Sequence, residues 1–422
     1  MNIAILTDFV SHDPAYSLCG VVANQVKMFA TDRHKPKLLV RKGFSAEDAY
    51  PGAEILVLDP GEIGNNVVNV TEQSESEIQV LRGQMVHALD GTDVVLTHDL
   101  IYQPNMWKYH VAARRVARDR PDLKWLHWVH SSTDMGTASQ VGPFSKELNG
   151  QFPNAKLVAM HTEEFNRKGS LYGYEADQMI IVPNPLDLVE GYHPAAKMMV
   201  KAGELYKADI VAVYPARLDR GKQVEVIVDI FRELNRKGWD ARLVIVDFHS
   251  TAGDKAIYRK ELTEKAWERK PETPVYFTSV ETVGLNKDYG YHLPHKAVMD
   301  LMEYSDIFVH PSRSESDPLT VPEAAWKRCG LVLNYDLPVF RLWEGSALLY
   351  RFSSNIDVTS GMPGLTETEQ SNPQAYMAHV AGGIAHVMQT NSVLKNHARV
   401  RKERSLEAVW SHHLWPAITG TQ

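Results

Sequence analysis

Short runs of Val, Ile and Leu recur along the chain, each about one strand long, and between them lie longer stretches whose apolar residues return at helical spacing. Strands buried on both faces read as continuous apolar runs, whereas crossover helices carry a single apolar stripe. The alternation therefore predicts parallel sheets covered by helices on both faces. In the first half, strands are expected at Ile3 to Thr7, Lys37 to Arg41, Glu54 to Leu58, Asp93 to Thr97, Lys124 to Val129, Lys156 to Met160 and Met179 to Val182. Helices fall at Gly20 to Thr31, Glu72 to Leu89 and Asn105 to Asp119. On the last of these, Met106, Tyr109, Ala113, Val116 and Ala117 form the stripe, while Lys108, Arg114, Arg115 and Arg118 fall off it. That pattern predicts packing on one face, with the arginines left to solvent or to a membrane surface.

The segment from Val182 to Pro194 interrupts the alternation with three prolines and a glycine, as a connection between domains would. Beyond it strands are expected at Ile210 to Tyr214, Arg242 to Val246, Val275 to Phe277, Ile307 to His310, Leu331 to Asn334 and Ala347 to Tyr350. Helices are expected at Lys222 to Lys237, Asp254 to Arg269, Pro294 to Tyr304 and Val321 to Cys329. The fold class is α/β, with two successive doubly wound, Rossmann-like domains over 1–190 and 191–399. A last helix from Val400 to Trp415 places Leu406, Val409, Trp410 and Leu414 among charged positions, as a packed helix would.

A chain of 422 residues exceeds what one hydrophobic core usually supports, which agrees with two domains. The formal charge of -7 disfavours whole-surface attraction to nucleic acid or anionic lipid. Cys19 and Cys329 are the only cysteines and lie far apart, which argues against a disulfide framework or a zinc knuckle. No basic leader precedes the first apolar run and no stretch is long enough to span a bilayer, so a cytoplasmic protein is expected. The chain has no Asp-x-Asp triplet and no His/Cys set at metal spacing, and neither a metal nor a cofactor is expected.

In open parallel sheets, ligands bind beyond the carboxyl ends of the strands, where helix N-termini offer free N–H groups. After the first strand of the second half comes Pro215-Ala-Arg217-Leu-Asp-Arg-Gly-Lys222, an arginine at a strand end and a lysine at a helix start. Two cations there suit a diphosphate, since they neutralise charge building on a leaving group. The same residues would also make an ordinary solvated loop. Following the strand Ile307 to His310, the stretch from Pro311 to Glu323 holds two glutamates eight apart, Glu315 at the strand mouth and Glu323 one turn into a helix. Carboxylates so placed accept hydrogen bonds from sugar and ribose hydroxyls. The bland alternative makes Glu323 a first-turn acid complementing the helix dipole and Glu315 a loop solubiliser. In the first half, Gly20 opens a helix after the first strand and allows close approach of the backbone to a phosphate or acceptor. His130 ends the fifth strand, and His127, three residues earlier, should point to the opposite face.

The Glu-x7-Glu spacing of Glu315 and Glu323, the preceding Asp306-Ile-Phe-Val-His-Pro-Ser312 run and the Arg217 to Lys222 loop resemble family 4 of the retaining glycosyltransferases. The resemblance implies the GT-B fold, with two Rossmann-like domains facing across a cleft. The N-terminal one would hold the acceptor, the C-terminal one the nucleotide-sugar donor, and a final helix over 400–422 would cross back to the first domain. It implies a hexosyltransferase type of enzyme with a front-face mechanism. In it Glu315 holds the transferred sugar, Glu323 the ribose, and Arg217 with Lys222 the diphosphate, with His130 near the reacting sugar. Three positions depart from the family. Cys19 replaces one of two glycines beside Gly20, and Asp247 stands where a glycine is usual. Pro318 stands where a glycine offers its N–H, so that Asp317, Leu319 and Thr320 must supply the donor contacts. The partners implied are a nucleotide sugar and an acceptor, whether a glycan, a lipid-linked glycan or a small molecule. Cys19 to Val21 and His130 to Ser132 also loosely resemble phage DNA α-glucosyltransferases, making nucleic acid an alternative acceptor. A nucleotide-sugar-binding pseudoenzyme, its donor geometry altered by Pro318, is the alternative from another class.

Overall fold

The computed structural model describes residues 1–63, 70–130, 141–148, 151–248, 255–268, 271–285, 293–352 and 372–421, and Ser131 and Ser132 fall outside them. In it the chain divides into two units. One comprises Met1–Asp187 with Arg404–Gln422, the other Leu188–Glu403. No described helix is long and apolar enough to cross a membrane.

The first unit is built on strands β1 (Ile3–Leu6), β2 (Lys37–Arg41), β3 (Glu54–Leu58), β4 (Val94–His98), β5 (Lys124–Trp128), β6 (Ala155–Ala159) and β7 (Met179–Ile181). They form one sheet in the order β3-β2-β1-β4-β5-β6-β7. Every pairing is parallel. Helices α1 (Ser17–Thr31), α2 (Ser74–Ala88), α3 (Trp107–Asp119) and α4 (Thr162–Tyr172) supply the crossovers. Each face of the sheet has its own core. Val22, Val26 and Phe29 of α1 cover one face with Ile3 and Ile5, while Leu81 and Met85 of α2 cover the other with Ala4 and Leu6. Alternate residues of one strand thus feed opposite layers, as the pleat requires.

The C-terminal stretch belongs to this unit. The helix expected over Val400 to Trp415 is broken at Ser405, whose hydroxyl accepts from the N–H of Ala408 at 3.2 Å and starts a new helix. Val409, Leu414 and Ile418 are then buried in the α1 layer, and Trp410 meets Phe29 edge to face at 5.5 Å.

Helix α3 departs from the one-faced packing expected of it. Lys108 and Arg114 are buried. Arg114 donates to His110 Nε2 at 2.8 Å and to the carbonyls of Gln151 and Leu148 at 2.9 and 3.3 Å, while Lys108 pairs with Glu77 at 2.6 Å. Arg115 bridges Glu75 and Glu147 at 2.6 and 2.7 Å. A guanidinium can be buried when carbonyls and carboxylates meet its fork of donors. Lys108, Arg114 and Arg115 are internal ties, and reading them as a solvated or membrane-facing stripe is corrected, whereas Arg118 remains half-exposed.

The second unit contains α5 (Pro194–Ala202), β8 (Ile210–Arg217), α6 (Val224–Arg236), β9 (Ala241–Phe248), α7 (Lys255–Trp267), β10 (Val275–Phe277), α8 (His295–Tyr304), β11 (Ile307–His310), α9 (Thr320–Trp326), β12 (Gly330–Asn334), β13 (Leu348–Tyr350), α10 (Pro373–Thr390) and α11 (Ser392–Arg404). The sheet order is β10-β9-β8-β11-β12-β13, again all parallel. Strand order reverses between β8 and β11, and it is beyond the carboxyl ends of the strands at such a switch that open α/β sheets bind ligands. Two Rossmann-like doubly wound units of this kind are the domains from which the GT-B fold is made.

Candidate functional site

At the carboxyl edge of the second sheet, β8 runs three residues further than its apolar pattern predicts and ends on Arg217. The chain then turns through a short helical turn at Arg220–Lys222, and Gln223 adopts a left-handed backbone with φ of 52° before α6 begins. The strain of that conformation is held in place by the buried Gln223 side chain. Its amide donates to the carbonyls of Pro311 and Phe352 at 2.5 and 2.7 Å. Arg313 N donates to Gly221 O at 2.9 Å. Asn334, at the end of β12, donates to Ser312 O at 2.9 Å. The loop after β8 and the loop after β11 are thereby one fastened structure.

This fastening brings Lys222 and Glu315 together. Lys222 Nζ lies 2.5 Å from Glu315 Oε1, with the carboxylate side chain only 13% exposed. His310, the last residue of β11, approaches the same oxygen through Nε2 at 3.4 Å and meets the Tyr214 hydroxyl through Nδ1 at 3.2 Å. Burial, opposed by Glu315 and aided by Lys222, lowers the His310 pKa to about 4, so the ring is neutral near pH 7. A neutral imidazole has one N–H. With Nε2–H turned to Glu315, Nδ1 accepts from Tyr214, whose own ionisation burial pushes far up. Neither Tyr214 nor His310 was singled out by spacing, although a polar residue closing an apolar strand was a readable signal.

The other expected residues are distributed around this pair. Arg217 is 55% exposed, with Asp219 as its nearest carboxylate at 3.8 Å, so its guanidinium faces solvent rather than the Lys222–Glu315 pair. Glu323 is the fourth residue of α9 and accepts from His295 Nε2 at 2.9 Å. His295 is a neighbour that local sequence could not reveal, because it opens a different helix. Asp317 and Leu319 are exposed and Thr320 starts α9. The Pro318 carbonyl accepts from Val321 N at 3.2 Å. Asp247, at the end of β9, is buried and receives the N–H of Ser279 at 2.8 Å. Its carboxylate organises the loop after β10.

In the first unit, Gly20 does not open its helix. α1 starts at Ser17, and an added side chain at Gly20 would meet open space. Close packing therefore gives no reason for a glycine here, and the expectation of a helix-opening position is corrected. His127 is fully buried against Thr97 at 2.9 Å, away from the strand mouth. His130 does stand at the carboxyl edge. Its backbone N–H donates to Asp99 at 2.7 Å and its ring lies beside that of His98, the last residue of β4.

Residues 199–333 match the model of a family described as glycosyl transferases group 1. No curated protein matches the chain. Among solved structures, the N-terminal domain of Candida albicans trehalose-6-phosphate phosphatase is 12% identical, with 99% of this chain and 96% of that chain covered at a TM-score of 0.38. HepE of Anabaena in complex with UDP-glucose is 14% identical, over 100% and 99% of the two chains, at 0.34. A glycosyltransferase from Rickettsia africae is 13% identical, over 100% and 99%, at 0.36. At identities and TM-scores this low, none of these likenesses bears on the chemistry of this chain.

Proposed function

We propose that this protein is a glycosyltransferase that moves a sugar from a nucleotide diphosphate sugar to an acceptor hydroxyl, with retention of configuration and without a metal ion. The reading rests on one observation: the segment matching glycosyl transferases group 1 places the Lys222–Glu315 pair at the carboxyl edge of a parallel sheet, beside the switch in strand order. Lys222 would neutralise the diphosphate as the bond from the sugar carbon to its phosphate oxygen breaks, with Arg217 a second, solvent-facing cation free to close on the same group. Glu315 would hold hydroxyls of the transferred sugar, and Glu323 the ribose. The acceptor oxygen would attack from the face the diphosphate leaves, and its proton would pass to the departing phosphate oxygen. Incubation with a panel of nucleotide sugars should release nucleoside diphosphate from at least one. A protein that neither binds nor turns over any of them is not this enzyme.

Glu323→Gln should chiefly raise the donor KM, because ribose bonding hardly changes during transfer. Glu315→Gln should instead lower kcat, because the negative charge beside a sugar gaining oxocarbenium character helps most in the transition state. Kinetics of both variants on one donor separate the roles. Equal small effects, or a kcat loss confined to Glu323→Gln, would show the two assignments to be wrong.

Turnover should also persist in excess EDTA, since side-chain cations take the place of a metal at the leaving group. Loss of turnover that manganese or magnesium restores would end the metal-independent reading.

A further inference from the structure

The edge of the first unit holds a chain of three polar side chains that the transfer mechanism above leaves unused. Gln25 lies on the buried stripe of α1, where its neighbours Val22 and Val26 are fully buried. His98 is itself 2% exposed. Its Nε2 meets Gln25 Oε1 at 2.8 Å and its Nδ1 meets His130 Nε2 at 3.1 Å. The two rings lie nearly parallel, 22° apart, with His98 also stacked on Trp128 at 5.3 Å.

The protons in this chain follow from what each atom can do. An amide oxygen only accepts, so His98 must carry its hydrogen on Nε2. Burial, and secondarily His130, hold the His98 pKa well below its ordinary value, so the ring is neutral and its Nδ1 is bare. The contact to His130 then needs a hydrogen on His130 Nε2. Burial, partly opposed by Asp99, also lowers the pKa of His130, so this ring too is neutral, which leaves its Nδ1 without a proton.

We infer that Gln25 and His98 are positioning residues that lock His130 with Nε2 protonated and Nδ1 bare, so that His130 meets a substrate only as an acceptor, for a hydroxyl group. A bare nitrogen lone pair takes a hydrogen bond from an alcohol and repels a phosphate oxygen, so this edge would select the hydroxyl-bearing part of a substrate over its anionic part. The substrate class rests on the transferase reading; the proton arrangement does not. The tie crosses from helix to strand to loop, which fixes the His130 ring against rotation as well as fixing its tautomer.

The test uses the full chain with its 18 histidines selectively labelled with nitrogen-15. Long-range proton–nitrogen spectra near pH 7 distinguish protonated from bare ring nitrogens, and the loss of one set of signals in His98→Phe and another in His130→Phe assigns the two rings. His98 and His130 should each show a single tautomer with the proton on Nε2. In Gln25→Met and in His98→Phe, which keep volume but remove the acceptor, His130 should become a mixture of tautomers. Turnover at saturating donor should then fall about tenfold, the worth of one hydrogen bond, with a smaller change in donor KM. A proton on Nδ1 of His130 in the unaltered protein, a cationic His130, or an unchanged single tautomer in both variants would overturn the inference. If either variant fails to fold, the spectrum of the unaltered protein still decides. If the tautomers are as drawn and the unaltered protein turns over no nucleotide sugar, the transferase reading fails and the relay stands.

Discussion

Lys222→Ala should lower turnover at saturating nucleotide sugar by about 10²–10³-fold, a loss of roughly 2.7–4 kcal/mol of transition-state stabilisation, while the protein stays folded. The expected size follows from where the ammonium sits. It is held at 2.5 Å from Glu315 by two loops tied through Gln223 and Asn334, so its position is set before any donor arrives. A charge already in place when a leaving diphosphate gains its negative charge needs no reorganisation, and this is the condition under which one donor group matters most. The partner is affected as well. With Lys222 gone, Glu315 keeps, among the described residues, the weaker approach of a neutral His310, and a carboxylate no longer balanced would repel the diphosphate. Lys222→Arg preserves charge but not the compact geometry of an ammonium, and should recover only part of the rate. Arg217→Ala should have a smaller effect, because its guanidinium is largely solvated at rest. Measurement of kcat and donor KM beside a thermal unfolding curve settles the matter. Near-normal turnover in Lys222→Ala, or a rate loss that simply follows unfolding, would remove Lys222 from the diphosphate.

The central strands were legible because they are buried on both faces, and an apolar run flanked by turn residues leaves little choice of structure. Element ends were less so. β8 continues to Arg217 because pairing with β9 carries on through Phe248, and that partnership lies outside any local window. α1 begins at Ser17 rather than Gly20, since backbone bonds there do not need the glycine. The candidate loops were legible because cations and carboxylates cluster after two strands that a parallel sheet must bring to the same edge. Gln223, His310, Gln25 and His98 were not, for a common reason. Each is a buried polar side chain within or at the end of an apolar element, and its partner lies far along the chain, such as Phe352 for Gln223. Arg114 failed the same way. Charge was read as exposure, whereas the carbonyls that satisfy it belong to Leu148 and Gln151.

Arg401→Met should destabilise the second unit by about 3–5 kcal/mol, the largest stability effect expected of a single side chain here. Asp306, just before β11, is fully buried and accepts from both terminal nitrogens of the equally buried Arg401, at 3.0 and 2.7 Å. It also accepts from His397 at 2.9 Å and from Val211 N at 2.8 Å, so one carboxylate fastens α11 to β8 and β11. Burial alone would raise the Asp306 pKa, but the charge of Arg401 and the bonds from His397 and Arg401 outweigh it, and the carboxyl is held below its ordinary value. A depressed carboxyl contributes stability that is present above its unfolded pKa and is lost only as pH falls through the lower folded value. The tie should therefore be intact throughout neutral and mildly acidic solution. Removing Arg401 leaves a buried carboxylate that, among the described residues, a partly exposed histidine alone can balance, which is the costly half of breaking such a pair. Removing both charges is a different event. Arg401→Met with Asp306→Leu deletes the uncompensated charge along with the pair, so the double variant should lose clearly less than the sum of the two single losses. Denaturant unfolding of the parent, the two single variants and the double variant measures the coupling. Additive losses, or an Arg401→Met variant as stable as the parent, would show that the pair is a passenger of the fold rather than one of its ties.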